Sequence, residues 1–589
     1  MGIVFRNRWK ERCARMKPLR SNAWFSNDDE VAVLHRVALA SAGVCKRTHD
    51  DKPIIGIANS ASDLNPCNLP LSNLASAAKM GVLQAGGLPV VFPTMSLGED
   101  LMKPTAMLYR NLLSIEIEEM IRANPLDGII VLANCDKTIP GALMGAISAN
   151  IPTVLITGGA RPAARFQGRR IGTGTDLWRL WDERRAGRLG DEAWDELEKA
   201  LSCGVGACNT MGTASSMAIV MEAMGFMVPG SSTIPAGDQR GYHAGMKAGE
   251  LAVFCVKSDL TPTKILTRSS LNNAIKVLNA IGGSTNAIIH LCAIAGRAGI
   301  EVSLEDFSAL GKDVGVLVDV EPTGQYLVHD FDAGGGVPAL LRELSEHLSH
   351  ATINIAGQRL DEVIASSPSP GGAIRRDSEP LATGGAFGIL RGTLAPDGAV
   401  IKKPTASKRL FRHKGPALVF GSYAEMLARI DDPDLEVSAE SILVLAGCGP
   451  VGTPGMPEWG MIPIPTKLVK QGVSDMLRIS DARMSGTSFG TVVLHVAPEA
   501  AVGGPLALVI SGDIIEIDVE AGRLDLVVPV AELERRRLQW SAPASPHLRG
   551  WPALYRDHVM QAPQGCDLDF LIEPKGARLP FIEPEIGRS

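Results

Sequence analysis

No apolar run in this chain approaches the roughly 18 residues that a membrane helix requires; the strand-like runs are cut by polar or glycine residues after about five to eight. A protein that spans a membrane is therefore excluded as an expectation. Charge of one sign is also scarce. With 58 Lys and Arg against 64 Asp and Glu, a net charge of -6, the chain offers no broad basic surface for nucleic acid. Paired CxxC ligands of structural zinc are missing, and so are a Walker A loop and a GxGxxG between strand and helix. No internal repeat of about 20 to 50 residues and no low-complexity segment is present.

What remains is a long, ordinary-looking globular sequence. Its 589 residues exceed the size at which single cores stop growing, so two or three domains are expected. Hydrophobic residues make up 45% and charged residues 21%, too apolar for disorder. Ten cysteines spread over this length do not form a dense disulfide framework, and reduced thiols in a cytoplasm fit better. The first twenty residues hold seven Lys and Arg with no apolar segment behind them, and Arg6 stands where myristoylation needs Ser or Thr. They read as a basic surface extension.

Residues 51–159 alternate short apolar runs (PIIGIAN, LPVVFPT, GIIVLAN, PTVLITGG) with helical periods such as LSNLASAAKMGVLQAGG. This predicts a doubly wound α/β domain with a parallel sheet. In such sheets ligands bind beyond the carboxyl ends of the strands, and the loops there carry Cys67, Glu99 and Cys135-Asp136-Lys137. Residues 175–201 predict a charged surface helix pair with Trp178, Trp181 and Trp194 as a packed stripe, in preference to a mobile lid. Composition shifts near residues 379–398, which divides the chain into an extension and leading helices (1–50), an α/β domain (51–390) and a β-rich, barrel-like or sandwich-like domain (391–589). The latter is expected from GPALVFGS, SILVLAG, TVVLHV, LALVISG and the alternating hairpin DIIEIDVEAGRLDLVVP.

Cys67 (NPCN), Cys135 (ANCDK) and Cys208 (GACNTMG) lie among turn residues, whereas Cys255 and Cys292 sit in apolar runs that suit packing. Small residues and backbone N–H donors are what a metal thiolate needs. Three thiolates would leave one iron of an iron–sulfur cluster open, a Lewis acid suited to loss of water without net redox change. Glu99 and Asp136 are hard ligands of the kind Mg²⁺ takes. Lys137 conflicts with that cation unless its amine is neutral, binds an acidic group, or is modified into an oxygen ligand; a plain Asp136–Lys137 surface ion pair is the simpler alternative.

NPCN, CDKTIPG, GACNTMGTASSM, IGGSTNAIIH, LRGTLAPDGAVIK, GMPEWG and SDARMSGTSFGTVVLHVAPEA occur in one collinear order. Together they resemble the dihydroxy-acid and sugar-acid dehydratases, the IlvD/Edd family. The resemblance implies that Cys67, Cys135 and Cys208 hold an iron–sulfur cluster, with Cys203 a bystander. It further implies Mg²⁺ on Glu99, Asp136 and Glu458, carbamylated Lys137 completing the shell, and Ser485 as an alkoxide base. PTMSLGED and DARMSG, in which Ala482 replaces a glycine of the branched-chain enzymes, resemble the aldonate (pentonate or arabinonate) branch and a [2Fe-2S] cluster, although three thiolates equally suit [4Fe-4S]. The implied activity is conversion of a sugar acid to a 2-keto-3-deoxy acid by a homodimer or homotetramer. Dehydration of a branched-chain dihydroxy acid is the alternative, and a non-catalytic α/β binding protein the remote one.

Overall fold

The computed structural model describes residues 18–48, 50–572 and 582–588. Residues 1–17, most of the basic extension, lie outside the described residues.

Strands β1 (Ile54–Asn59), β2 (Leu88–Pro93), β3 (Gly128–Leu132) and β4 (Thr153–Ile156) form an all-parallel sheet in the order β2-β1-β3-β4. Every residue of β3 and β4 is buried, as continuous apolar strands require when helices cover both faces. The order reverses at β1, so the loops leaving β1 and β3 flank the crevice at the switch point, where an open α/β sheet binds ligands. The helices Arg110–Ala123 and Thr138–Ala149 approach closely because Gly145 has no side chain; a Cβ there would lie 2.4 Å from the Ser114 carbonyl oxygen.

A two-stranded hairpin, β5 (Ala164–Phe166) and β6 (Arg169–Ile171), packs on the helix Asp191–Leu201 through Phe166, Ile171 and Leu197. The helices Thr213–Met224, Arg268–Ala280 and Asn286–Arg297 follow, and every residue of the first is buried. This helical core had no counterpart in the sequence reading; its first helix, buried all round, lacks an amphipathic period.

The second sheet has eight strands: β7 (Phe387–Leu390), β8 (Gly398–Lys402), β9 (Arg412–Phe420), β10 (Ile442–Leu445), β11 (Arg478–Ser480), β12 (Val492–Ala497), β13 (Ile514–Asp518) and β14 (Arg523–Val527). Their order is β14-β13-β9-β10-β11-β12-β8-β7. Backbone bonds from Arg391 N to Gly522 O and from Leu524 N to Arg391 O, both 2.8 Å, nearly close it into a barrel. Ile401, Val444, Ile479, Val493, Ile515, Ile517, Leu524 and Leu526 fill its core. The hairpin pairs as its alternation predicts, Ile515 opposite Leu526 and Ile517 opposite Leu524. One feature differs from expectation. LALVISG is no strand: Pro505–Leu508 is a 3₁₀ turn, since Pro505 cannot donate to a ladder. The centre, β9 to β12, is parallel, so here too the carboxyl-end loops share one rim.

The end of the chain ties the domains together. Arg297 and Asp567, both fully buried, form a two-bonded ion pair at 2.6 and 3.0 Å, with Ser114 and Ser148 accepting the remaining guanidinium protons at 2.9 and 3.0 Å. Removing Asp567 leaves the buried Arg297 with Glu118, 3.7 Å away and not hydrogen-bonded to it, as its counter-charge. Asp567→Ala is therefore expected to lower stability by about 3–5 kcal/mol, read as a shift in the urea midpoint, and an unchanged midpoint would contradict the role given to this pair.

Candidate active site

Two asparagines hold the loops of the first sheet in register. Asn68, fully buried one residue after Cys67, accepts from Asn134 N (3.1 Å) and Cys135 N (2.8 Å) and donates to Ser60, Ser96 and Thr138. Asn134 donates in turn to the carbonyls of Cys67 (2.7 Å) and Gly159 (2.9 Å). The Cys208 loop is bonded into the same assembly, with Gly206 N on Pro66 O and Ala207 N on Gly159 O, each at 3.0 Å.

These bonds bring the three cysteines together. Cys67 and Cys135 are buried, and the Cys135 thiol donates to Asp136 Oδ1 at 3.3 Å. The neighbouring Cys67 and burial hold the Cys135 thiol well above its ordinary range, and burial, then Cys67, push Cys208 up to about 12. The Arg161 guanidinium lies 3.8 Å from the Cys67 sulfur and opposes this rise at Cys208. Such thiols stay protonated until a cation replaces the proton. Among the described residues the sulfurs do not all fall within 4.8 Å of one another, whereas one zinc with bonds of about 2.3 Å would draw its ligands closer than that.

Beside them, Glu99, Asp136 and Glu458 place ligand oxygens within 4.8 Å of one another. Glu99 follows β2, Asp136 follows β3, and Glu458 follows β10 of the barrel. At their centre is Lys137, 0% exposed, whose Nζ lies 3.2 Å from Glu99 and 2.7 Å from Glu458 and also bonds Asp136. Burial and Arg483 work against its charge, but the three carboxylates outweigh them and hold the ammonium more firmly than water would. Lys137 is thus no surface ion pair.

The carboxylates are served unequally. Glu458 accepts from Lys137, Asn286 (2.6 Å) and Arg483 (2.9 Å), which overcome burial and hold it at about 2. Glu99 uses one oxygen to accept from Thr105 at 2.6 Å, while its buried Oε2 meets the Lys137 ammonium at 3.2 Å as an ion pair without a hydrogen bond, and burial raises its carboxyl. Three carboxylates face two cations, and Glu99 Oε2 has the Lys137 ion pair but no hydrogen bond. Both observations fit a further cation.

Ser485 lies on the loop after β11, two residues beyond Arg483, whose guanidinium bonds Glu458 and Thr105. Its hydroxyl is 2.9 Å from that of Thr487. Every residue named from the sequence except Cys208 therefore follows the carboxyl end of a parallel strand, in one domain or the other. Asn68, Asn134, Thr105, Arg161, Asn286 and Arg483 were not singled out, although Asn68, Asn134, Asn286 and Arg483 stand inside or beside the quoted motifs, and buried polar residues in turn-rich segments are the signal that marks them.

Residues 52–363 match the dihydroxy-acid/6-phosphogluconate dehydratase N-terminal domain and residues 372–566 the C-terminal domain. The chain belongs to this family. It is a dehydratase by type, as are the proteins most similar to it. A 6-deoxy-6-sulfo-D-gluconate dehydratase of Pseudomonas putida is 46% identical over 95% of this chain and 98% of its own. An L-arabonate dehydratase of Azospirillum brasilense is 45% identical, again over 95% and 98%. A dihydroxy-acid dehydratase of Moorella thermoacetica is 36% identical over 91% and 98%. No helix among the described residues of this dehydratase is long and apolar enough to cross a membrane.

Asn68→Ala would leave the buried N–H groups of Asn134 and Cys135 without an acceptor, at about 1–3 kcal/mol each. A loss of at least about 2 kcal/mol is expected in chemical denaturation; a stability equal to the parent would show that the loops do not depend on it.

Proposed function

We propose that the protein dehydrates a sugar acid, an aldonate with hydroxyls on C2 and C3, to the 2-keto-3-deoxy acid. The observation that carries this reading is the meeting, in one crevice of a family dehydratase, of three thiols in polar turns with a carboxylate cage one cation short. Relatives named for sugar acids at 45–46% identity, against 36% for one named for the dihydroxy acid, support the aldonate over the branched-chain substrate. The reading extends to a cytoplasmic homodimer or homotetramer.

When bound, Mg²⁺ on Glu99, Asp136 and Glu458 would hold the substrate carboxylate and C2 hydroxyl, and a [2Fe-2S] cluster, or [4Fe-4S], on Cys67, Cys135 and Cys208 would offer an open iron to the departing C3 hydroxyl. Lys137 as a carbamate would turn from a competitor of that dication into a fourth oxygen ligand. Asn286 and Arg483 fix Glu458, and Thr105 fixes Glu99. Ser485, as the alkoxide, takes the C2 proton; the C–H electron pair becomes the C2–C3 double bond as the C3 hydroxyl departs, and the proton that Ser485 has taken passes to the departing oxygen, which completes water and restores the alkoxide. The enol then tautomerises to the keto acid. A serine is too weak an acid for this in water, so the positive charge nearby is a requirement of the role.

Two experiments test the reading. Anaerobically purified protein is expected to be brown with bound iron; Cys135→Ser is expected to lose both, while Ser485→Ala keeps both and loses at least about a hundredfold in kcat. A colourless parent, or a fully active Ser485→Ala, would contradict it. In a panel assayed for 2-keto acid, aldonates are expected to outpace 2,3-dihydroxyisovalerate, and the reverse order would move the protein to the branched-chain reading.

A further inference from the structure

The three tryptophans of the helical hairpin do not share one role. Trp181 and Trp194 pack on each other, ring centroids 5.4 Å apart, as the predicted stripe requires. Trp178 turns away from them and sends its indole N–H to Thr487 Oγ1 at 3.1 Å, although the residue is 37% exposed. Thr487 Oγ1 is in turn 2.9 Å from Ser485 Oγ.

The contact is one of several that the start of this helix, Thr175–Arg185, makes with the serine loop. Thr175 Oγ1 donates to the Thr487 carbonyl at 2.9 Å, and the Arg179 guanidinium lies 5.3 Å from the centre of the Phe489 ring. Thr175, Trp178 and Arg179 have the i, i+3, i+4 spacing that puts them on one face of the helix. Just before it, Gly174 has φ +94°, and a Cβ there would stand 2.5 Å from Thr487 Oγ1, so only glycine lets the threonine sit so close.

A hydroxyl carries one proton and two lone pairs, whereas an indole N–H can only donate. Trp178 therefore occupies a lone pair of Thr487 Oγ1 and leaves the threonine proton free to point at Ser485. We infer that Trp178 is a positioning residue for the dehydration: its N–H favours the Trp178 to Thr487 to Ser485 direction of donation, so that Thr487 meets the Ser485 oxygen with a proton when that oxygen carries charge. A hydrogen bond to a charged oxygen is stronger than one to a neutral hydroxyl, so the arrangement favours the deprotonated serine over the resting one. The role lies in this one hydrogen bond and not in the packing of the rest of the helix face on the serine loop. This rests on the reading of Ser485 as the base.

Trp178→Phe removes the N–H and keeps the ring. It is expected to lower kcat about tenfold with KM within about twofold and iron content unchanged. Because Trp178 acts through Thr487, adding Trp178→Phe to Thr487→Val is expected to change kcat by less than about twofold, the non-additivity of groups in one chain. Arg179→Met, which loosens the same helix face without touching the hydrogen bond, is expected to stay within about twofold of the parent. A wild-type kcat in Trp178→Phe, an equal loss in Arg179→Met, or a full additional loss in the Thr487→Val background would each overturn the inference. Ser485→Ala separates the two levels: if it is inactive while Trp178→Phe is unaffected, only the positioning role falls, and if Ser485→Ala is itself fully active the base assignment falls first.

Discussion

The site is organised around a charge that cannot be left alone. Lys137 is shut away from solvent with Glu99, Asp136 and Glu458 around it, and buried ions persist only where partners replace the water they lose. Satisfying that requirement takes both halves of the chain: Glu458 arrives from the barrel, 321 residues away in sequence from Lys137. Arg483 and Asn286 then follow from the need to serve Glu458, and Thr105 from the need to serve Glu99. Glu99 Oε2 faces the ammonium at 3.2 Å without a hydrogen bond, and three carboxylates around one lysine also suit a harder cation.

Geometry of this kind is inexpensive to build because two unrelated sheets use the same device. In the first domain the loops after β1, β2 and β3 meet at the switch point; in the barrel the loops after β10 and β11 meet at one rim. Backbone N–H and carbonyl groups freed at the strand ends are satisfied locally, by Asn68 and Asn134 on one side and, on the other, by Asp481, which accepts from Gly447 and Cys448 N, and Ser480, which donates to the Leu445 carbonyl. The thiol pocket and the acidic cage are neighbours because Cys135, Asp136 and Lys137 are consecutive.

Much of this was legible in the sequence, and the limits are physical. Cys67, Cys135 and Cys208 stood out because turn residues surround them, and Asp136-Lys137 because they close a buried strand. Glu458 and Ser485 carry no local signal; a glutamate and a serine in loops look ordinary until a partner hundreds of residues away is known, and only the resemblance of whole motifs pointed to them. The β13–β14 hairpin was readable from its period of two, whereas the parallel centre of the barrel and the buried helices have no such period. LALVISG misled because apolar content alone does not distinguish a strand from a 3₁₀ turn led by proline. Trp178 was grouped with Trp181 and Trp194 by spacing, but its N–H answers to a loop more than 300 residues away.

The most direct measurement is diffraction from crystals grown anaerobically with Mg²⁺, with data taken on both sides of the iron edge. Iron density of more than one atom among Cys67, Cys135 and Cys208, together with a lighter ion among Glu99, Asp136, Glu458 and the end of Lys137, is the expected result. A single ion on the cysteines, or an unmodified Lys137 ammonium still filling the acidic cage with Mg²⁺ in excess, would contradict it.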